Sequence, residues 1–221
     1  MERINYLVDK FKPTNLLTHS SIAFQCREIC KLLDFNSSIL EIGPSDGSLG
    51  HLLRWSNFDY TSLDVNKNFS PDIIGDFLSE NFKLDRRFRL VCAFQVMEHT
   101  PLSLLDKWIE QLNKYSSEFV MVSLPDCRPR ISLSFDLAFL QRRKNINIFL
   151  GPYDSKGGRC IDLRNTSGGL DDYAPHYWEL GQGINVKILM KKFKKNNFEL
   201  VWDKVNPKFN YHRFFCFKKI K

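Results

Sequence analysis

The feature that most constrains the fold is a series of short apolar segments separated by helical ones. Strands of a parallel sheet are buried on both faces, so they read as continuous apolar runs rather than as alternating ones. Helices predicted at 48–55 and 101–115 separate such runs and indicate a Rossmann-like, doubly wound α/β fold with a mostly parallel sheet. The runs, each bounded by a polar turn, predict five strands, at 38–43, 60–65, 72–76, 89–94 and 118–125.

The segments on either side of this core complete the predicted domain. Apolar residues at three- and four-residue steps predict one helix before the sheet and one basic helix after it. Two more apolar runs joined by a turn at Asn206-Pro207 predict a C-terminal antiparallel hairpin and a seven-stranded sheet. Residues 1–221 are therefore expected to form one domain. The helices are predicted at 14–35 (in a helical N-terminal segment, 1–36) and 184–197, and the hairpin strands at 198–202 and 213–217.

The stretch 126–183 breaks this pattern and is rich in glycine, proline, arginine and aromatic residues. A loop-rich stretch of this length in a compact domain is usually functional, so we expect an insertion that covers the active site. From Cys127 to Leu170 it carries eight Arg or Lys against three Asp or Glu, in a chain of net charge +7. Arginine binds phosphate through paired hydrogen bonds, which favours an anionic substrate. The expected substrate contacts are Arg128, Arg130, Tyr177 and Trp178, with Arg142, Arg143, Lys156 and Arg159 as further basic residues of the cover.

A glycine-containing turn, Gly43-Pro44-Ser45-Asp46-Gly47, directly follows the first predicted strand. Glycine at such a turn lets the backbone approach a ligand closely. The dinucleotide pattern G-x-G-x-x-G fits poorly, because serines stand at 45 and 48 where the pattern requires glycines. The turn also spells G-x-S-x-G, the nucleophile elbow of α/β hydrolases, but that elbow follows several strands and only 42 residues precede Gly43.

With the strand before it, the turn resembles the first motif of class I S-adenosylmethionine-dependent methyltransferases, E/D-x-G-x-G-x-G. Glu41, Gly43 and Gly47 match the motif, whereas Ser45 replaces its middle glycine. The resemblance implies that S-adenosylmethionine is the cofactor. It also implies that Glu41 orients the turn and the methionine amino group.

Residues at the ends of the next strands extend this resemblance. Asp64 ends the second strand, 21 residues after Gly43, where an acidic side chain can accept hydrogen bonds from both ribose hydroxyls. Asp76 resembles the family's acidic residue beside adenine, and Phe77 can pack on the base. The expected cofactor-binding residues are Glu41, Gly43, Ser45, Gly47, Asp64, Val65, Asp76, Phe77, Phe94 and Gln95.

Residues 95–101 and 176–179, with the sequences QVMEHTP and HYWE, make the chain most similar to bacterial methyltransferases associated with surface-polysaccharide or capsule biosynthesis. The resemblance implies methyl transfer to an oxygen of an anionic glycan precursor, phosphorylated or nucleotide-linked. A hydroxyl acceptor must lose a proton, which favours a histidine base. His99 and His176, with Glu98 beside the first, are the candidate catalytic residues. Structural roles stay open for both histidines, at a helix start and in an aromatic lid.

The same residues also resemble those of a metal-dependent variant. Some relatives, including small-RNA ribose methyltransferases, carry E-x-x-E-H, whose two carboxylates and imidazole bind a divalent ion. Here Gln95 replaces the first Glu, which removes a negative charge that a hard cation requires. We therefore expect no metal. The alternative ligand set is Gln95, Glu98, His99 and His176.

Two other functions stay open, an RNA methyltransferase and a cofactor-binding scaffold without catalysis. Charge alone supports the RNA acceptor, because the sequence has no recognisable RNA-binding module, so nucleic acid is not an expected partner. No apolar run approaches the ~20 residues that span a bilayer, and residues 1–5 lack the layout of a signal peptide. Six scattered cysteines suit a reducing compartment. We expect a cytoplasmic protein that acts on a small molecule.

Overall fold

The computed structural model describes residues 16–137, 142–149 and 176–220. Helices and strands alternate as far as Pro125, except that three strands between residues 59 and 94 follow one another without an α-helix between them. The described elements end in a helix followed by two strands. The helices are α1 (Leu16–Leu32), α2 (Ser48–Trp55), α3 (Leu105–Tyr115) and α4 (Val186–Lys195). The strands are β1 (Ser38–Ile42), β2 (Asp59–Asp64), β3 (Ile73–Ile74), β4 (Phe88–Phe94), β5 (Ser116–Pro125), β6 (Arg130–Leu137), β7 (Arg142–Phe149), β8 (Glu179–Leu180), β9 (Gly183–Ile184), β10 (Phe198–Val205) and β11 (His212–Lys219).

Seven strands form the central sheet, in the order β10-β11-β5-β4-β1-β2-β3. Neighbouring strands pair in parallel along the five-strand series β5-β4-β1-β2-β3. Strand β11 pairs antiparallel with both β5 and β10. The order reverses at β1, which lies between β2 and β4. In open α/β sheets ligands bind at such a switch point, beyond the carboxyl ends of the strands. The predicted α/β fold, with its C-terminal antiparallel hairpin, is confirmed.

Side chains alternate along the strands between two cores, one on each face of the sheet. On β1, Leu40 and Ile42 face one core while Ile39 faces the other. The first core is covered by α3 and α4, and the second by α1 and α2. Because β1, β4 and β5 are covered on both faces, their sequences read as nearly continuous apolar runs, as predicted.

Two predicted boundaries differ from the structure. The helix expected from Pro101 begins as an α-helix only at Leu105, because the chain first makes a 3₁₀ turn at Leu102–Leu104. The stretch 126–183, predicted to be loop-rich, contains an antiparallel ribbon of β6 and β7. Its alternating pattern of apolar and polar residues has the period of a strand. Arg142 and Arg143 lie on β7, and Lys156 and Arg159 lie outside the described residues.

Within the described ranges, no helix is both long enough and apolar enough to cross a membrane. Cys92 and Cys216 are buried, Cys26 and Cys127 are half-buried and Cys30 is exposed.

Candidate active site

The turn between β1 and α2 is held in a left-handed backbone conformation at three of its five residues. Gly43, Ser45 and Gly47 have φ angles of 69°, 52° and 73°. The Gly43 amide donates to the Leu63 carbonyl (2.8 Å), which fixes the turn to the end of β2. A Cβ added at Gly43 would lie 2.5 Å from Val96 Cγ2, whereas one at Gly47 would meet nothing within 4 Å. A glycine is therefore required at position 43 for two reasons. Its φ angle disfavours other residues, and Val96, in the segment that follows β4, leaves no room for a Cβ.

Glu41 is buried directly before this turn, with 4% of its surface exposed. Its Oε2 accepts a hydrogen bond from the Tyr60 hydroxyl, on the neighbouring strand β2. The ring of Tyr60 packs where Gly50 has no side chain, because a Cβ there would lie 2.6 Å from it. Burial raises the pKa of Glu41 to about 7, with the Tyr60 hydrogen bond opposing the shift and Asp46 adding to it. Glu41 can therefore change charge near neutral pH.

Acidic residues follow the next two strands at the same edge of the sheet. Asp64 ends β2, and its Oδ1 accepts from the Asn66 amide (2.8 Å). No other hydrogen bond to this carboxylate occurs in the described part of the chain. The Gly75 amide donates to the Asp64 carbonyl (3.0 Å), which brings the exposed Asp76 beside Asp64. Val65 is 67% exposed next to them, so this edge presents two carboxylates and one apolar side chain to a ligand.

Three aromatic residues expected to contact ligands belong to the cores instead. Phe77 is 3% exposed, and its ring packs against those of Phe82, Trp108 and Tyr115. Phe94 lies in the second core, with its ring 6.0 Å from that of Phe214. Trp178 is 2% exposed, and its indole nitrogen donates to the Thr100 carbonyl (2.9 Å). Phe77, Phe94 and Trp178 are therefore core residues in this structure, with 7% or less of their surface exposed, rather than side chains open to adenine, cofactor or substrate as predicted. Tyr177, by contrast, is 52% exposed.

Gln95 lies beyond the end of β4 and turns the chain, with a φ of 55°. Its amide oxygen, oriented toward the available donors, accepts from Ser123 Oγ and the Leu124 amide, both at 3.1 Å. The amide nitrogen then donates to Glu98 Oε1 at 3.3 Å. Gln95 therefore connects the carboxyl ends of the central strands to the residues that follow β4.

Beyond Gln95 lies a group of five residues that we call the Glu–His cluster: Glu98, His99, His176, Glu179 and Tyr211. A carboxylate oxygen of Glu98 and a ring nitrogen from each histidine lie within 4.8 Å of one another. His176 Nδ1 and the Tyr211 hydroxyl both contact Glu179 Oε1, at 2.8 and 2.5 Å. The Tyr177 amide donates to the Glu98 carbonyl (2.8 Å), which holds the two distant segments together. The structure thus brings together His99, His176 and Glu98, as their predicted catalytic role requires.

Burial dominates the electrostatics of the cluster. Glu98 and Glu179 are fully buried, and each has an oxygen, Oε2, without a hydrogen-bond partner among the described residues. Burial and the neighbouring Glu179 raise the pKa of Glu98 to about 8, against a hydrogen bond to its own backbone. Burial, followed by the charge of His176, lowers the pKa of the adjacent His212 to about 3. His212 is therefore a neutral part of the surroundings.

The predicted arginines lie next to this cluster, where the chain leaves β5. Arg128 binds the buried Asp126 through two hydrogen bonds, of 2.8 and 2.5 Å, so its charge is balanced. Arg130 Nη2 donates to the Asp126 carbonyl (2.5 Å), while its Nη1 is buried without a partner among the described residues. Arg130 is therefore the better candidate to bind an anion.

Sequence reasoning did not assign Glu179 and Tyr211 to the site. The spacing of His176 and Glu179, three residues apart, was a local signal for their hydrogen bond. Tyr211 had none, because it reaches Glu179 only through the pairing of β11 with β5. Its contact depends on the complete sheet.

Comparison with sequence families and with curated proteins gives no match. Comparison with solved structures gives many. The magnesium protoporphyrin IX methyltransferase of Synechocystis, solved with bound S-adenosylhomocysteine, has a TM-score of 0.62 and 11% identity and covers 93% of this chain and 84% of its own. A S-adenosylmethionine-dependent methyltransferase of Clostridium acetobutylicum has a TM-score of 0.62 at 9% identity and covers 100% and 99%.

A third similar structure is 1,6-didemethyltoxoflavin-N1-methyltransferase of Burkholderia thailandensis, with bound 1,6-didemethyltoxoflavin and S-adenosylhomocysteine. Its TM-score is 0.57 at 9% identity, and it covers 99% of this chain and 87% of its own. At these identities the likeness is one of fold. The chain has the fold of S-adenosylmethionine-dependent methyltransferases.

Proposed function

We propose that this protein is a methyltransferase that uses S-adenosylmethionine. The observation that carries the proposal is the arrangement at the switch point. There the left-handed turn after β1, the buried Glu41 and the Asp64 carboxylate meet at one edge of the sheet. The fold supports it, because similar structures were solved with S-adenosylmethionine or S-adenosylhomocysteine bound.

In this proposal each residue at the edge contacts a different part of the cofactor. The turn lies along the methionine end, where Glu41 accepts from the ammonium group. Asp64 accepts from the ribose hydroxyls, and Asp76 lies beside adenine. The remaining contacts of the proposed site are made by Gly43, Ser45, Gly47, Val65 and Gln95.

The chemistry is a displacement at the sulfonium methyl. An acceptor oxygen loses its proton and forms a bond to the methyl carbon, while the carbon–sulfur bond breaks and its electron pair stays on sulfur. Holding the acceptor in line can supply on the order of 7–11 kcal/mol of the barrier reduction. The Glu–His cluster, next to Gln95, is where we place the acceptor, with His99 and His176 as the groups that receive its proton. Buried carboxylates with an oxygen that has no hydrogen-bond partner are typical of catalytic sites, which favours an enzyme over a non-catalytic scaffold.

For the acceptor we propose an anionic small molecule, a phosphorylated or nucleotide-linked glycan precursor, methylated on oxygen. The support is the Nη1 of Arg130, which has no hydrogen-bond partner among the described residues, and the exposed Tyr177, which follows His176 in sequence. Guanidinium groups bind phosphate oxygens through charge-assisted hydrogen bonds. The alternative RNA acceptor has only the basic charge of the chain in its favour.

Replacing Asp64 by alanine tests the cofactor proposal. Loss of a hydrogen bond to a charged group costs about 1.5–3 kcal/mol, so S-adenosylmethionine affinity should fall roughly 10- to 150-fold. Isothermal titration calorimetry measures the change. Asp59→Ala is the matched control, because Asp59 begins the same strand and pairs with Arg86 (2.6 Å) at the opposite edge of the sheet. Equal affinity of D64A and the unmodified protein would contradict the proposal.

The pKa of Glu41 predicts a pH dependence of cofactor binding. A protonated Glu41 must lose its proton before it can pair with the ammonium group. Because the pKa of Glu41 is about 7, affinity should rise with pH up to about 7 and then level off. Each pH unit below that costs about tenfold in affinity. Titrations of S-adenosylmethionine between pH 5.5 and 8.5 measure this slope.

Glu41→Gln is the control for the pH dependence, since it keeps the shape of the side chain and cannot ionise. The slope between pH 5.5 and 7 should disappear in this variant, and its affinity at pH 8 should be lower. A slope that persists unchanged in E41Q would show that another group titrates.

A further inference from the structure

We propose that Glu98, His99 and His176 bind one divalent first-row metal ion of the kind represented by Zn²⁺. The binding itself does not depend on the proposed function. The three ligand atoms are one carboxylate oxygen and two imidazole nitrogens, all within 4.8 Å of one another. Two segments more than 70 residues apart in sequence provide them, and the Tyr177–Glu98 backbone hydrogen bond holds these segments together.

The spacing of these atoms is close to what an ion requires. Metal–ligand distances of ~2.0–2.2 Å place the ligands of a tetrahedral ion about 3.3–3.6 Å apart. Imidazole and carboxylate ligands together favour a transition metal over Mg²⁺ or Ca²⁺, which prefer oxygen ligands alone.

Glu179 provides the outer interaction that a metal-binding histidine usually has. Its Oε1 lies 2.8 Å from His176 Nδ1, and the Tyr211 hydroxyl donates to the same oxygen at 2.5 Å. A carboxylate that accepts the Nδ1 proton fixes the tautomer and the ring orientation and leaves Nε2 as the ligand. The same hydrogen bond raises the electron density on the ring.

Unpaired buried oxygens point to a cation as the ligand. Oε2 of Glu98 and Oε2 of Glu179 are buried and have no hydrogen-bond partner within the described ranges. In that part of the chain neither carboxylate pairs with a lysine or arginine. Buried charges are normally paired or coordinate metals, and an ion among these residues would provide the missing partner.

Gln95 does not have to serve as a ligand in this arrangement. Its amide nitrogen donates to Glu98 Oε1 (3.3 Å), which orients the carboxylate and leaves Oε2 for the ion. The second negative charge near the ion comes from the carboxylate of Glu179, which contacts the His176 ring at Nδ1. The negative charge that Gln95 lacks is therefore provided in the structure by Glu179.

An ion with three protein ligands has an open coordination position, and an acceptor oxygen bound there would lose its proton more readily. This role, unlike the binding, rests on the proposed function. With both imidazoles bound to the ion, His99 and His176 would not receive the proton of the acceptor, which would pass to solvent water instead.

Metal binding to the full chain tests the proposal. Protein stripped with EDTA and dialysed is titrated with ZnCl₂ by calorimetry and with CoCl₂ by visible absorption, which reports tetrahedral nitrogen and oxygen ligation. We expect one equivalent of metal per chain. His176→Ala should abolish the cobalt spectrum, and Glu179→Gln should weaken binding roughly 10- to 100-fold. His51→Ala is the matched control and should bind normally, because His51 is exposed on α2.

Thermal melting and S-adenosylmethionine binding are measured on the same samples. Absence of a one-equivalent site in the unmodified protein, or an unchanged cobalt spectrum in H176A, would overturn the metal proposal. If H176A fails to fold, the spectrum of Glu98→Gln decides in its place. Metal binding without S-adenosylmethionine binding would contradict only the proposed function. S-adenosylmethionine binding without metal binding would contradict only the metal proposal.

Discussion

Replacing Trp178 by alanine is expected to lower the free energy of unfolding by about 3–5 kcal/mol, as for other buried aromatic residues. The indole is 2% exposed and packs in the core between the sheet and α3 and α4. Its removal leaves a cavity and also deprives the Thr100 carbonyl of its donor. Chemical denaturation monitored by circular dichroism measures the change.

The neighbouring Tyr177 is the control for this prediction. Its side chain is 52% exposed, so Tyr177→Ala should change stability by no more than about 0.5 kcal/mol. The two variants differ by one position in sequence but lie in opposite environments. A similar loss of stability in both would show that the Trp178 side chain is not part of the core.

Replacing Gly43 by alanine is expected to cost about 2–5 kcal/mol, from backbone strain and overpacking together. The φ angle of 69° disfavours any L side chain, and the new Cβ would lie 2.5 Å from Val96 Cγ2. The same displacement of the turn should reduce S-adenosylmethionine affinity more than tenfold. Denaturation and calorimetry measure the two effects.

Gly47→Ala separates the two causes, because Gly47 has a nearly equal φ of 73° and nothing within 4 Å of its added Cβ. G47A should lose only the strain, about 1–2 kcal/mol. The difference between the variants then reports the contact with Val96, and Val96→Ala in the G43A background should recover part of it. Identical losses in G43A and G47A would refute a steric role for Val96.

Local sequence signals were sufficient for the sheet and for placing residues at the carboxyl ends of β1 and β2. The turn at Gly43 and the carboxylate of Asp64 each lie directly after an apolar run, so their place at a strand end follows from the chain alone. Aromatic residues were assigned less well, since Phe77 and Trp178 stand in polar-looking segments and only their tertiary contacts show that they are core residues. A ring beside a predicted site can fill a core as readily as it can hold a ligand.

The Glu–His cluster shows a second limit. Glu98 and His99 are adjacent in sequence, and a carboxylate next to an imidazole predicted a catalytic role for both. Glu179 and Tyr211 join them through the pairing of β11 with β5 and through the backbone bond at Tyr177, which involve residues far apart in the chain. Spacing along the sequence carries no information on such contacts.

The position of β11 has a consequence for how this protein is made. β11 follows every other strand in sequence but lies inside the sheet, between β5 and β10. The ribosome must therefore have added Lys219 before the whole of β11 can pair with β5 and before Tyr211 can contact Glu179. Until then the nascent chain has an open strand edge that can pair with other chains. The part of the proposed site that contains Glu179 and Tyr211 is therefore completed last during synthesis.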